Sequence, residues 1–126
     1  MDILSDSTGQ ALARSLDVAA LRQRVIAHNI ANIDTPGFKR STVHFEDDLA
    51  EALNADLSVD ERETRIGDLN PRVERVESSL RIDGNNVDID LEAAELSENS
   101  LRYEALTRLV AERGRMMRSA INEGKR

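Results

Sequence analysis

The chain has no cysteine and no tryptophan, and only three aromatic side chains, Phe38, Phe45 and Tyr103, in 126 residues. Without cysteine there is neither a disulfide nor a thiolate metal site, so the residues say nothing about redox compartment. With so few aromatics, a core must be built from Leu, Val, Ile and Ala. In so short a chain such a core stabilises only modestly, so partners are expected to cover part of the apolar surface. Basic excess is also missing. The net charge is −7, whereas nucleic acid and anionic lipid both need clustered Lys and Arg. No apolar run approaches the roughly 20 residues that span a bilayer. The start, Met1-Asp-Ile-Leu-Ser-Asp, has neither the basic region nor the apolar stretch of a secretory signal. Any passage out of the cytoplasm is therefore expected to use another export system.

What is present is helical periodicity at both ends. Leu12, Leu16, Ala19, Gln23, Ile26, Ile30 and Ile33 recur in alternating steps of four and three. A second stripe of Ala11, Val18, Val25 and Asn32 recurs every seven residues. This predicts a helix over about 8–33, with a heptad character suited to helix–helix packing. Ser7 with Gln10 is a candidate capping box. Pro36 and Gly37 stop the helix near Asp34. A second helix is expected over about 90–122, with Leu96, Asn99, Tyr103, Leu106, Val110, Met117 and Ala120 on one face. Leu109, Met116 and Ile121 broaden that face. Glu98 with Arg102, and Glu104 with Arg108, are spaced for ion pairs one turn apart. Asp88 or Asp90 is placed to cap its start.

The middle reads differently. Residues 38–45 look extended, and residues 46–55 suit a short helix. Residues 56–79 are polar and mixed in charge, which predicts a flexible or assembly-ordered insert. Leu80-Arg-Ile and Val87-Asp-Ile alternate around Asp83-Gly-Asn-Asn, which predicts a small β-hairpin. The fold class expected is mainly α, with two long terminal helices, a central extended and flexible segment over about 34–89, and that hairpin.

The residue spacing supports no catalytic or metal chemistry. Asp83, Asn85, Asp88 and Asp90 invite a calcium loop, but registers begun at Asp83 or Asp88 lack the glycine at position 6 and the glutamate at position 12. His28 and His44 form no metal-binding pair. No serine lies in a nucleophile elbow, and the glycines are too isolated to cradle phosphate. The chain is therefore expected to be no enzyme, with no cofactor, no metal and no small-molecule substrate. Two segments stand out instead. Asn29 and Asn32 precede Thr35-Pro36-Gly37-Phe38, where a local helix stop is the simple account. Asn99 falls on the apolar face of the second helix, followed by Arg102 and Tyr103; a polar residue there can fix register between helices.

The stretch Val25-Ile-Ala-His-Asn-Ile-Ala-Asn-Ile-Asp-Thr-Pro-Gly-Phe-Lys39 resembles the signature of the flagellar rod and hook family, NIAN followed by TPGF and a basic residue. His28 stands where a small residue is usual. Gly84-Asn-Asn-Val-Asp-Ile-Asp-Leu91 and Glu95-Leu-Ser-Glu-Asn-Ser-Leu-Arg-Tyr103 are similar to the short, proximal members. Residues 50–79 match nothing useful. The resemblance implies a structural subunit of the proximal rod, the drive shaft leading from the inner-membrane ring. It also implies terminal helices paired as an antiparallel coiled coil, and helical stacking of copies around a channel. The implied partners are other copies, neighbouring rod proteins, the junction with the ring and the flagellar type III export gate. The implied location is the periplasmic rod, reached without a cleavable signal. Phe45-Glu-Asp-Asp-Leu49 matches the export-recognition pattern of early flagellar substrates, with Phe45 and Leu49 as its apolar pair. A soluble helical adaptor or chaperone-like factor of the export machinery is the alternative.

Overall fold

A computed structural model describes residues 6–79 and 81–124. The described chain is mainly helical, in the order α1 (Ser7–Ala31), β1 (Ser41–His44), α2 (Glu46–Asn54), α3 (Val59–Asp68), β2 (Arg72–Arg75) and α4 (Ile89–Glu123). The cap of α1 is Asp6 rather than Ser7: its Oδ1 accepts the Gly9 N–H at 2.8 Å. Beyond Ala31 the chain turns twice, and the Phe38 N–H closes on the Thr35 carbonyl at 3.2 Å. Gly37 sits in that turn at φ +72°, the left-handed value that the third position of a type II turn requires.

α1 and α4 run antiparallel. Asp6 pairs with Arg113, Ala19 and Gln23 meet Asn99, and Asn29 meets Glu92, so the start of one helix lies beside the end of the other. At 1.5 Å per residue α4 is about 52 Å long and α1 about 37 Å. The last ten residues of α4 therefore extend past the described part of α1.

The other side of α1 carries the core. Val18, Val43 and Phe45 form its buried centre, with Leu21, Val25, Leu49 and Leu69 around them. Phe45 is only 2% exposed. β1 pairs antiparallel with β2 in the register Ser41 to Arg75 and Val43 to Val73. α3 lies against α1; its Ile66 is fully buried, and the Arg14 guanidinium of α1 donates to the Gly67 carbonyl.

Two expectations for the middle need correction. Among the described residues there is no hairpin around Asp83: residues 81–88 are turn and coil, Leu80 of the expected hairpin lies outside the described residues, and the small sheet joins β1 to β2 instead. The alternation about Asp83 marked no buried face, since Ile82 is fully exposed while consecutive Asn85, Asn86 and Val87 are all buried. Residues 56–79, expected to be a flexible or assembly-ordered insert, hold α3 and β2 in the single chain. The readable signal was the Ser58–Glu61 capping box, in which the Ser58 Oγ accepts the Glu61 N–H and the Glu61 carboxylate accepts the Ser58 N–H at 3.0 Å.

Phe45→Ala and Ile66→Ala both empty a fully packed site, and each is expected to lower stability by about 3–5 kcal/mol. Urea unfolding followed by circular dichroism measures this; a change below 1 kcal/mol, roughly that of a surface substitution, would remove the residue from the core.

Candidate functional site

Of the residues singled out in the sequence, Asn29, Asn32 and the Thr35–Phe38 turn lie together at one end of the α1–α4 pair. Asn29, buried on the last turn of α1, spans three elements. Its Nδ2 donates to the Ser41 carbonyl at 2.9 Å and to the Glu92 carboxylate at 3.1 Å, while its Oδ1 accepts the Ser41 N–H at 3.0 Å. Asn32 ends the helix: its Nδ2 donates to the His28 carbonyl at 2.8 Å, and its Oδ1 accepts the Thr35 hydroxyl at 3.2 Å. Phe38 packs edge-on against the His28 ring, with centroids 5.5 Å apart. The Thr35–Phe38 turn exposes Thr35, Pro36 and Gly37.

Four residues complete this junction that were not among the expected site residues, although Asn85 and Asn86 lie in the Gly84–Leu91 segment singled out by resemblance. Asn85 donates through Nδ2 to the carbonyls of Asn32, Ile33 and Thr35, at 2.9, 3.1 and 2.9 Å. These are carbonyls at the end of a helix that no further turn can satisfy. Asn86 accepts the Arg40 N–H at 2.6 Å and donates to the Val76 carbonyl at 2.7 Å. Arg40 reaches Glu92 at 2.6 Å and Glu95 at 2.9 Å. Glu92, on the first turns of α4, is 0% exposed. Burial works against the Arg40 charge, but the hydrogen bond and charge of Glu92, with Glu95 behind it, outweigh that and raise its pKa above the ordinary value. The signal for these four was chemical rather than periodic: Asn85-Asn86 next to Gly84 reads as turn composition, and Arg40 beside Lys39 as surface charge.

The α4 residues of the motif separate into three settings. Asn99 lies in the seam between the helices, donating to the Ala19 carbonyl at 2.9 Å and to Gln23 Oε1 at 3.1 Å. Its buried Oδ1 accepts no hydrogen bond among the described residues. An unmet acceptor costs about 1–3 kcal/mol, and what it gains here is a directional tie between two helices. Arg102 joins α4 to α2, pairing with Glu46 and also with Glu98 at 3.0 Å. Glu46 is held from the other side by Arg22 of α1 at 2.8 Å. Tyr103 is about half exposed. Phe45 and Leu49 belong to the hydrophobic core, not to this junction.

Hydrogen bonds and ion pairs also govern two carboxyls. Partial burial pushes Glu46 up, but its own backbone N–H, Arg22 and Arg102 pull harder, so its pKa lies below the ordinary carboxylate value. The Gly9 N–H and then Arg113 lower that of Asp6. Among the described residues no cluster of His, Asp and Glu is arranged to hold a metal ion, and no helix is long and apolar enough to cross a membrane.

Removing the Glu92 carboxylate leaves Arg40 with Glu95 alone and Asn29 with its two Ser41 bonds, and Glu92→Ala is expected to cost about 3 kcal/mol in urea unfolding, the low end of the penalty for breaking a buried ion pair. A loss under 1 kcal/mol, the scale of an exposed pair, would mean that the junction tolerates the gap. Because Asp6 and Glu46 have depressed folded pKa values, their contribution is present above the unfolded values and is lost as pH falls through the folded ones. Stability should thus decline as pH drops below the ordinary Glu value of 4.5. In urea titrations across pH, the pair Asp6→Asn and Glu46→Gln should make that acid limb shallower; an unchanged limb would assign it elsewhere.

A family model described as flagella basal body rod protein matches residues 7–39, which cover α1 and the turn after it. Flagellar basal body rod protein FlgB of Borreliella burgdorferi is 42% identical over 112 residues, covering 78% of this chain and 83% of that protein. The FlgB of Bacillus subtilis is 34% identical over 128 residues, covering 97% of this chain and 98% of its own length. That of Salmonella typhimurium is 31% identical over 103 residues, covering 71% of this chain and 75% of its own. With such identity reaching across α1, the polar junction and α4, the chain belongs to the flagellar basal body rod protein family, among its FlgB members.

Proposed function

We propose that this structural component of the flagellar basal body rod self-assembles helically through α1 and α4, paired as an antiparallel coiled coil, after export by the flagellar type III apparatus. The observation that carries the assembly reading is the surface of α4. Asn99 and Glu92 hold one narrow seam against α1, yet Leu91, Leu101, Tyr103, Leu109, Met116 and Ile121 remain exposed around the helix. A helix with apolar residues on more than one side can keep its intramolecular partner and still cover a neighbour. The neighbours in this reading are other copies, adjoining rod proteins and the junction with the inner-membrane ring.

The export reading meets a constraint. Phe45 is sealed in the core and Leu49 packs beside it. A gate that reads the pair Phe45 and Leu49 must meet the chain before α2 docks, so recognition and the finished core compete for one side chain. The motif residues Asn29, Asn32, Thr35, Pro36, Gly37 and Phe38 act in this account by holding α1 to β1 and α4. Asn99, Arg102 and Tyr103 act along α4 itself.

A strain lacking the chain should build nothing beyond the inner ring, and normal filaments with altered export timing would point to an adaptor instead. For export, Phe45→Ala should reduce secretion several-fold although it loosens the fold. Ile66→Ala, which loosens the fold to a similar degree and leaves the segment intact, should not. Equal secretion of both variants and the parent would remove Phe45 from export recognition.

A further inference from the structure

The two sides of α1 face segments of opposite charge: the acidic α2–α3 segment on one side and α4, whose C-terminal half is basic, on the other. Gln10 and Arg14 face α3, Gly67 lying beside the first and accepting from the second. Ala19 and Gln23 face α4 through Asn99. At about 100° per residue these two sets point to roughly opposite sides of the helix. α2 joins the α3 side, where Glu51 pairs with Arg65 at 2.6 Å.

Residues 46–68, spanning α2 and α3, hold nine acidic residues and two arginines, which equals the whole net charge of −7. Asp47, Asp56, Asp60 and Glu63 have no ion-pair partner among the described residues. Exposed Leu53 and Val59 lie among them. On the opposite side, residues 106–124 carry four arginines against two glutamates. Leu109 and Met116, two turns apart on one face of α4, are 55% and 58% exposed. Arg108 and Arg115 flank them, and Arg118 has no acidic partner among the described residues.

We infer that the occupant of this apolar, basic flank of α4 is the acidic α2–α3 flank of a second copy. Each surface sets a few exposed apolar side chains within a net charge, −7 over residues 46–68 and +2 over residues 106–124, where Arg108 and Arg115 also pair with Glu104 and Glu112, and the net signs are opposite. The two surfaces differ and lie on opposite flanks, so the contact is head-to-tail rather than two-fold. A contact of that kind repeats from copy to copy and, unless its rotation closes, builds an open helical array. The inference rests on the self-assembly reading above and adds which surfaces meet.

Sedimentation of the full chain at low and at physiological salt tests it. Asp56→Lys with Glu63→Lys reverses one flank, and Arg115→Glu with Arg118→Glu reverses the other. Each pair should weaken self-association about tenfold, the size expected for a few exposed charge contacts. The fourfold variant, and an equimolar mixture of the two double variants, should recover to within a few-fold of the parent, which also excludes misfolding as the cause. Association untouched by either reversal, a loss that neither combination restores, or a parent that stays monomeric at low salt would overturn the pairing. Failure of the rod-subunit reading shows separately, as a deletion strain that still builds its rod.

Discussion

Burying the Glu92 carboxylate constrains everything near it. A charge taken out of water must be met by an opposite charge and by hydrogen bonds, or it costs several kcal/mol. Here the answer comes from Arg40 on the segment before β1 and Asn29 at the end of α1. Those two residues are eleven apart in sequence, and they meet Glu92 only if the chain reverses between them. The Thr35–Phe38 turn performs that reversal, and Asn85 secures it by filling three carbonyls at the helix end. One buried carboxylate therefore ties together the end of α1, the turn, β1, the 84–87 loop and the start of α4.

Such a junction is a poor source of net stability, since a well-packed apolar cluster of the same volume would do as well. Its value lies in direction. Apolar faces of helices slide at little cost, whereas Asn29, Glu92 and Asn99 make bonds that exist in one register. α4 is thus located by polar contacts at Glu92, Asn99, Arg102 and Arg113, which leaves its apolar side chains available on the flanks. A helix located by its own apolar stripe would have little of that stripe left for a neighbour.

The periodic parts of this arrangement were legible in the sequence and the directional parts were not. Steps of three and four residues located α1 and α4 within one or two residues, because periodicity reports which face is buried. α2 was legible too, with acidic residues in its first turn and its apolar Leu49 set against Phe45. α3 was hidden by a surface-like composition in which a single residue, Ile66, supplies the fully buried contact. The turn at Pro36-Gly37 was plain from its residue types. Its clamp was not, because Asn85 and Asn86 look like ordinary turn residues until their amides are seen pointing inward. Arg40 and Glu92 lie 52 positions apart, and nothing local announces that they meet.

Phe45 shows where these constraints conflict. As a packing residue it needs to be enclosed, and Val18 and Val43 enclose it. As an export signal it needs to be reachable. Under the export reading proposed above, both demands are met only in sequence: the segment would be read while extended and then buried when α1 supplies Val18, Leu21 and Val25. The scarcity of aromatics then acquires a physical meaning. With Phe45 the one aromatic side chain in the core cluster, the fold is held largely by aliphatic contacts and by the polar junction, a combination whose net stability is modest. A core richer in aromatic residues would resist the undocking that the proposed recognition would require. Modest stability in the free chain and firm packing in the assembly are compatible, because neighbours that bind only the folded form stabilise it by mass action.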